Sequence, residues 1–159
     1  DLRNNPGGYV ISVRYVLEDF LKIDDVMMQE KTKNGDQESF KVEKAGRFVN
    51  VPLVVLVNEG SASASEIFSA AIQDNNRGEI IGKKTVGKGV EQEVIDNLSD
   101  GGMLILPFQK WLTPSGKNID KQNPITPNIE VELDINQLQK TNNDTQVNKA
   151  LEVLKTKIK

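Results

Sequence analysis

The sequence predicts a mixed α/β fold, and three observations carry that prediction. Leu53–Val57 (LVVLV) is a continuous, mostly β-branched run of strand length, as in a central strand buried on both faces. Two stretches, Tyr9–Leu21 and Ala62–Gln73, place apolar residues at helical spacing. Between and after them lie short alternating segments with turn residues, so strands and helices interleave along one chain.

Taken in order, Asp1–Arg3 reads as a strand end, and Asn4–Gly8 (NNPGG) as dense turn chemistry. Tyr9, Val10, Val13, Val16, Leu17, Phe20 and Leu21 then form one apolar stripe. Val26–Glu30 and Glu38–Glu43 flank Lys33-Asn34-Gly35-Asp36, whose Asn-Gly pair signals a hairpin. After Leu53–Val57 and the turn NEGS comes the alanine-rich helix, with Ile67, Phe68, Ala71 and Ile72 on one side. Glu79–Gly82 is a short strand. Glu91–Asp96 is expected to pair with Met103–Pro107 across the turn Leu98–Gly102. Trp111–Pro127 reads as loop, with Phe108 and Trp111 assigned to the core. Ile129–Leu133 alternates like an edge strand, and Val147–Lys157 is an amphipathic helix.

Composition excludes much chemistry. The 159 residues suit one domain, and 37% hydrophobic content supports a lean core. The net charge is −3 with charges interspersed, and aromatics are 5%, so no nucleic-acid surface is expected. Cysteine and histidine are both absent, which removes disulfides, thiol nucleophiles and the commonest metal ligands. The acidic residues fit no calcium-loop pattern, and no metal or cofactor is expected. No apolar run approaches the ~20 residues of a membrane helix. The chain opens on DLRNNPGG without an initiator methionine, so a fragment of a longer protein is expected.

Without histidine, a reactive serine needs another base, and lysine can serve. Ser63 lies where the buried strand turns into a helix, whose first amides are unpaired and can hold an oxyanion. Ser63-x-x-Glu66 is equally a capping box, and Ser61 and Ser65 compete for the same role. Lys88 sits between Gly87 and Gly89. Those glycines let the backbone pack closely and turn the lysine inward, where burial favours its neutral form. A solvated loop lysine is the plainer alternative. Gly82–Lys88 also matches most of a phosphate-binding loop. Gly89 stands where serine or threonine is needed, and the alternating segment that follows opens no helix. Gly7 and Gly8 serve either as turn residues or as amides facing a ligand.

Four segments together, Asp1–Gly8, Pro52–Asp74, Gly82–Gln92 and Leu112–Glu132, resemble the C-terminal processing (tail-specific) peptidases of the S41 serine peptidase family. The resemblance covers roughly Asp1–Leu133. It implies a crotonase-like α/β core, here truncated at its N-terminus, and a Ser–Lys dyad. By it the nucleophile is Ser63, the general base Lys88, and Gln92 the residue holding that lysine. The oxyanion hole would use the amide of Ala64 and that of Gly7 or Gly8. It implies polypeptide substrates with exposed C-termini, an upstream PDZ domain, a bacterial cell-envelope location and a possible homo-oligomer. The peptidase segment is expected to fill the chain, with residues 135–159 as a helical tail. Asn128 departs from the aspartate usual after ITP. The rival expectation is a non-catalytic binding or scaffold domain of the same fold; an intact Ser63, Lys88 and Gln92 speaks against it.

Overall fold

The computed structural model describes residues 1–96, 98–99 and 101–158. The expected turn at Leu98–Gly102 includes Asp100, and the expected tail ends on Lys159; both residues lie outside the described set. In chain order the elements are α1 (Val10–Glu18), β1 (Val26–Lys31), β2 (Gln37–Lys41), β3 (Val54–Val57), α2 (Ala64–Asp74), β4 (Glu79–Gly82), β5 (Val90–Ile95), β6 (Leu104–Leu112), β7 (Ile129–Glu130), α3 (Ile135–Thr141) and α4 (Thr145–Lys157). The mixed α/β class predicted from the sequence is the class observed.

The strands form two sheets. One is antiparallel, in the order β2-β1-β6-β5, and the other is parallel, in the order β3-β4-β7. Asp1–Arg3 extends the open side of β3, where Leu2 N donates to Leu56 O at 2.8 Å. The parallel sheet is covered on both faces, which is why β3 reads as an unbroken apolar run. Val55 and Val57 face a core built with Leu17, Ile67, Ile72, Ile80 and Trp111. Leu56 and Ile81 face the other way, against Ala150 of α4. Each such buried aliphatic side chain stabilises the fold by about 1.5–3 kcal/mol.

The C-terminal helix is held by side-chain chemistry at its start. Asp144 accepts from Gln146 N and Val147 N, both at 3.0 Å. Arg3 Nη1 donates to Asp144 Oδ2 at 2.7 Å and to Gln146 Oε1 at 2.9 Å, so the two ends of the chain meet. Arg3→Ala is expected to destabilise the protein by about 1–3 kcal/mol. Hydrogen exchange should show α4 losing protection first.

Several expectations need correction. Tyr9 and Val16 are 81% and 48% exposed, so the apolar stripe of α1 is narrower than its spacing suggests. Phe108 was assigned to the core and is 44% exposed, whereas Trp111 is buried. Trp111 and Leu112 belong to β6 rather than to a loop. The strand continues through Pro107 because a bulge absorbs it: Glu91 pairs with Gln109 and Gln92 with Pro107, leaving Phe108 over. β7 is an edge strand as expected but only Ile129–Glu130 long. α3 lies inside the 135–159 segment expected as a helical tail, although the sequence marks no separate helix there. It buries no residue and is defined by its Asp134 cap and left-handed Asn142, so it carries no apolar stripe to read. No helix among the described residues is long and apolar enough to cross a membrane.

Candidate active site

Three serines precede α2, and the structure separates them. Ser61 Oγ donates to Leu2 O at 2.7 Å and accepts from Asn58 N at 3.0 Å. Ser65 Oγ donates to Asn5 O at 3.1 Å. Ser61 ties the NEGSAS turn to the Asp1–Arg3 segment and Ser65 ties it to the NNPGG turn, and both residues are buried. Ser63 is half-buried, and its hydroxyl donates to no group among the described residues. Its backbone is at φ 55° and ψ −119°, a conformation that costs a non-glycine residue about 1–3 kcal/mol and recurs at functional sites.

Both halves of the capping box are present. Glu66 Oε2 accepts the Ser63 N–H at 3.0 Å, and the Glu66 N–H faces the Ser63 side chain while donating to the Ser63 carbonyl at 2.8 Å. Glu66 does far more than cap. It is fully buried, and it also accepts from Lys88 N at 2.8 Å, Gly87 N at 2.7 Å and the Thr85 hydroxyl at 2.5 Å. One carboxylate thus ties the start of α2 to the GKG segment. The sequence reading used Glu66 only as half of a cap. The available signal was its capping-box position next to a candidate nucleophile, and nothing local pointed to its reach across to Gly87 and Lys88.

Lys88 is half-buried, and its backbone is held on both sides. Its carbonyl accepts from Trp111 Nε1 at 3.1 Å. A Cβ on Gly87 would lie 2.2 Å from Asp120 O, and one on Gly89 would lie 2.0 Å from Ile119 O. Only glycine at both positions lets the segment around Ile119–Lys121 pack so closely. The phosphate-loop reading fails in space as well: Gly82 ends β4, Lys83 pairs with Glu130 and Glu132, and a strand follows.

Ser63 and Lys88 line one cavity of about 480 Å³, together with Gly8, Gln92, Glu91 and Trp111. Among the described residues Lys88 Nζ has no ion-pair or hydrogen-bond partner. Gln92 reaches the same cavity but is exposed and makes no side-chain hydrogen bond to Lys88. The amides expected beside the serine differ in availability. Ala64 N, the first of α2, has no acceptor among the described residues. Gly7 N donates to Asn5 Oδ1 at 2.9 Å and is committed within its turn. Gly8 N carries no such bond, and Gly8 lines the cavity.

Gly7 has a different job. It sits at φ 99°, and a Cβ there would fall 2.8 Å from Ser63 Cβ and 2.6 Å from Ala62 O. Gly7→Ala is expected to displace the Ser63 elbow and to lower the melting temperature. A misplacement of about 1 Å is worth on the order of 10²-fold in rate, which single-turnover kinetics would read.

Asn128, the departure noted above, is a working part of the fold. Its Oδ1 accepts from Ile80 N at 2.9 Å, fastening the start of β4.

A serine on a strained strand-to-helix turn beside free amides is a layout that serine hydrolases use for their nucleophile. Comparison with known proteins narrows the class to one family. The model of Peptidase family S41 matches residues 1–131, and the chain belongs to that family. It is 41% identical over 133 residues to the carboxy-terminal processing protease CtpA of Bacillus subtilis, covering 84% of this chain and 28% of that protein. It is 40% identical over 130 residues to carboxyl-terminal-processing peptidase 3, chloroplastic, of Arabidopsis thaliana, covering 82% of this chain and 25% of that protein. Among solved structures it superposes on a photosystem II D1 C-terminal processing protease with a TM-score of 0.74 and 33% identity, over 83% of this chain and 33% of the other. The chain thus spans between a quarter and a third of the length of these relatives. The crotonase-like expectation is met at the level of the family core.

Proposed function

We propose that this chain carries the catalytic centre of a serine endopeptidase that cuts polypeptides near their C-termini. Ser63 attacks the peptide carbonyl, and Lys88 takes the hydroxyl proton and delivers it to the leaving amine. Water then releases the acyl group from Ser63. The amides of Ala64 and Gly8 hold the oxyanion, and Gln92 orients Lys88 when substrate closes the cavity. The whole protein would act on polypeptides with exposed C-termini, carry an upstream PDZ domain, work in a bacterial cell envelope and possess the option of self-association.

The observation that carries the reading is the contrast among the three serines. Among the described residues Ser63 alone of the three donates its hydroxyl proton to no group, and it shares its cavity with Lys88. The rival, a non-catalytic binding domain of the same fold, gives no reason for that contrast. A fluorophosphonate probe applied to the full-length protein separates the two. Labelling at Ser63, lost in Lys88→Ala, is expected; an unlabelled Ser63 in folded protein would favour the binding domain.

A further inference from the structure

Glu91 lines the catalytic cavity, yet no step above uses it. Its place is set by register. Glu91 pairs with Gln109 across β5 and β6, and Glu30 pairs with Trp111 across β1 and β6. Residues two apart on a strand share a face, so Glu91, Gln109, Trp111 and Glu30 all lie on one side of the antiparallel sheet. Arg14 of α1 covers that side, its guanidinium 4.0 Å from the centre of the Phe40 ring. Glu91 Oε1 and Arg14 Nε are both buried without a hydrogen-bond partner among the described residues. Glu30 Oε2 accepts from Gln109 Nε2 at 2.5 Å.

Among the described residues the charged groups around Glu91 are Arg14 from α1, Glu30 from β1, Glu38 opposite Glu30 on β2, and Lys88 ahead of β5; β6 presents the neutral Gln109 and Trp111. The charges do not balance: two cations face three carboxylates, and a neutral Lys88 deepens the excess. A proton on Glu91 offsets it and supplies a donor beside Glu30.

We propose that Glu91 is a positioning residue: it carries a proton beside Glu30 beneath the catalytic cavity, and this protonated carboxyl, with Arg14, holds α1 and β5 together around Ser63 and Lys88. The inference rests on reading those two residues as the catalytic pair. α1 begins directly after Gly8, and β5 directly after the GKG segment, so the cluster joins the two elements that carry the amide and the base. Burial and the neighbouring Glu30 charge push Glu91 up from the ordinary 4.5 to about 7, with Arg14 pulling weakly the other way. The native state therefore binds this proton more tightly than the unfolded chain. Its contribution is complete at low pH and is lost as pH rises through the range from 4.5 to about 7.

The experiment uses the full-length protein, with Glu91→Gln and Glu30→Gln beside the wild type. Melting temperature and kcat/KM on an unstructured peptide are followed from about pH 5 to pH 9. The carboxamide introduced by Glu91→Gln keeps a donor but cannot ionise. That variant is expected to match the wild type at low pH, to melt higher above pH 7, and to gain kcat/KM relative to it by up to about tenfold per pH unit. Glu30→Gln should move the wild-type transition to lower pH, which tests the same link where Glu91→Gln folds poorly. Melting differences that do not change with pH would overturn the proton on Glu91. Melting differences that change with pH alongside parallel activity profiles would overturn the positioning role. A wild type that cleaves nothing and leaves Ser63 unlabelled would overturn the catalytic reading, and with it the positioning role, while the melting series still decides on the Glu91 proton.

Discussion

Ser63→Ala and Lys88→Ala, each in the full-length protein, are expected to reduce peptide cleavage by at least about 10⁴-fold while leaving the fold intact. The double variant should be scarcely worse than either single one, because residues acting as one unit do not add. Ser61→Ala and Ser65→Ala supply the contrast. Their hydroxyls hold turns together, so they should cost stability, about 1 kcal/mol each, and far less activity. Circular dichroism and single-turnover rates read the two effects separately. Comparable losses of rate at all three serines would sink the assignment of the nucleophile.

Glu66→Ala should be the most damaging change that touches no substrate. It removes the acceptor of four hydrogen bonds in a buried place, from Ser63 N, Lys88 N, Gly87 N and the Thr85 hydroxyl. Stranding buried donors of that kind costs about 3–5 kcal/mol. Glu66→Gln should not rescue it. Oε2 accepts from two backbone amides, and a carboxamide NH₂ in that position cannot accept from either. Both variants are expected to lose kcat by about 10²-fold or more, since the serine elbow and the lysine segment are no longer fastened to one another. Unchanged kcat in a folded Glu66→Gln protein would show that the elbow and Lys88 hold their positions without this carboxylate.

How much was legible beforehand follows physical lines. Elements with strong local signals were readable: the unbroken LVVLV run of β3, the apolar stripe of α2, and the Asn-Gly turn between β1 and β2. α3 was covered only by the broad expectation of a helical tail, because a helix that buries nothing leaves no period in the sequence to bound it. Phe108 was misplaced because a bulge beside Pro107 shifts the strand register, and period-2 counting assumes no bulge. At the site, Ser63, Lys88 and the glycines were visible as residue types in order, and the resemblance of four motifs said which serine to prefer. Glu66 looked like an ordinary cap because three of its four partners, Thr85, Gly87 and Lys88, lie well along the chain from α2.

By itself the sequence determined the chemistry on offer. A chain without histidine or cysteine, with a serine before a helix and a lysine between glycines, leaves few routes to acyl transfer. It also determined the local backbone, because glycine, proline and apolar spacing act over a few residues. Only the tertiary structure decided which hydroxyl stays free, which glycine amide faces the cavity, and what binds the serine turn to the lysine turn. Those outcomes depend on hydrogen bonds and close contacts between segments far apart in sequence. Such contacts form when the two turns are brought against β3, Asp1–Arg3 and the Ile119–Lys121 segment.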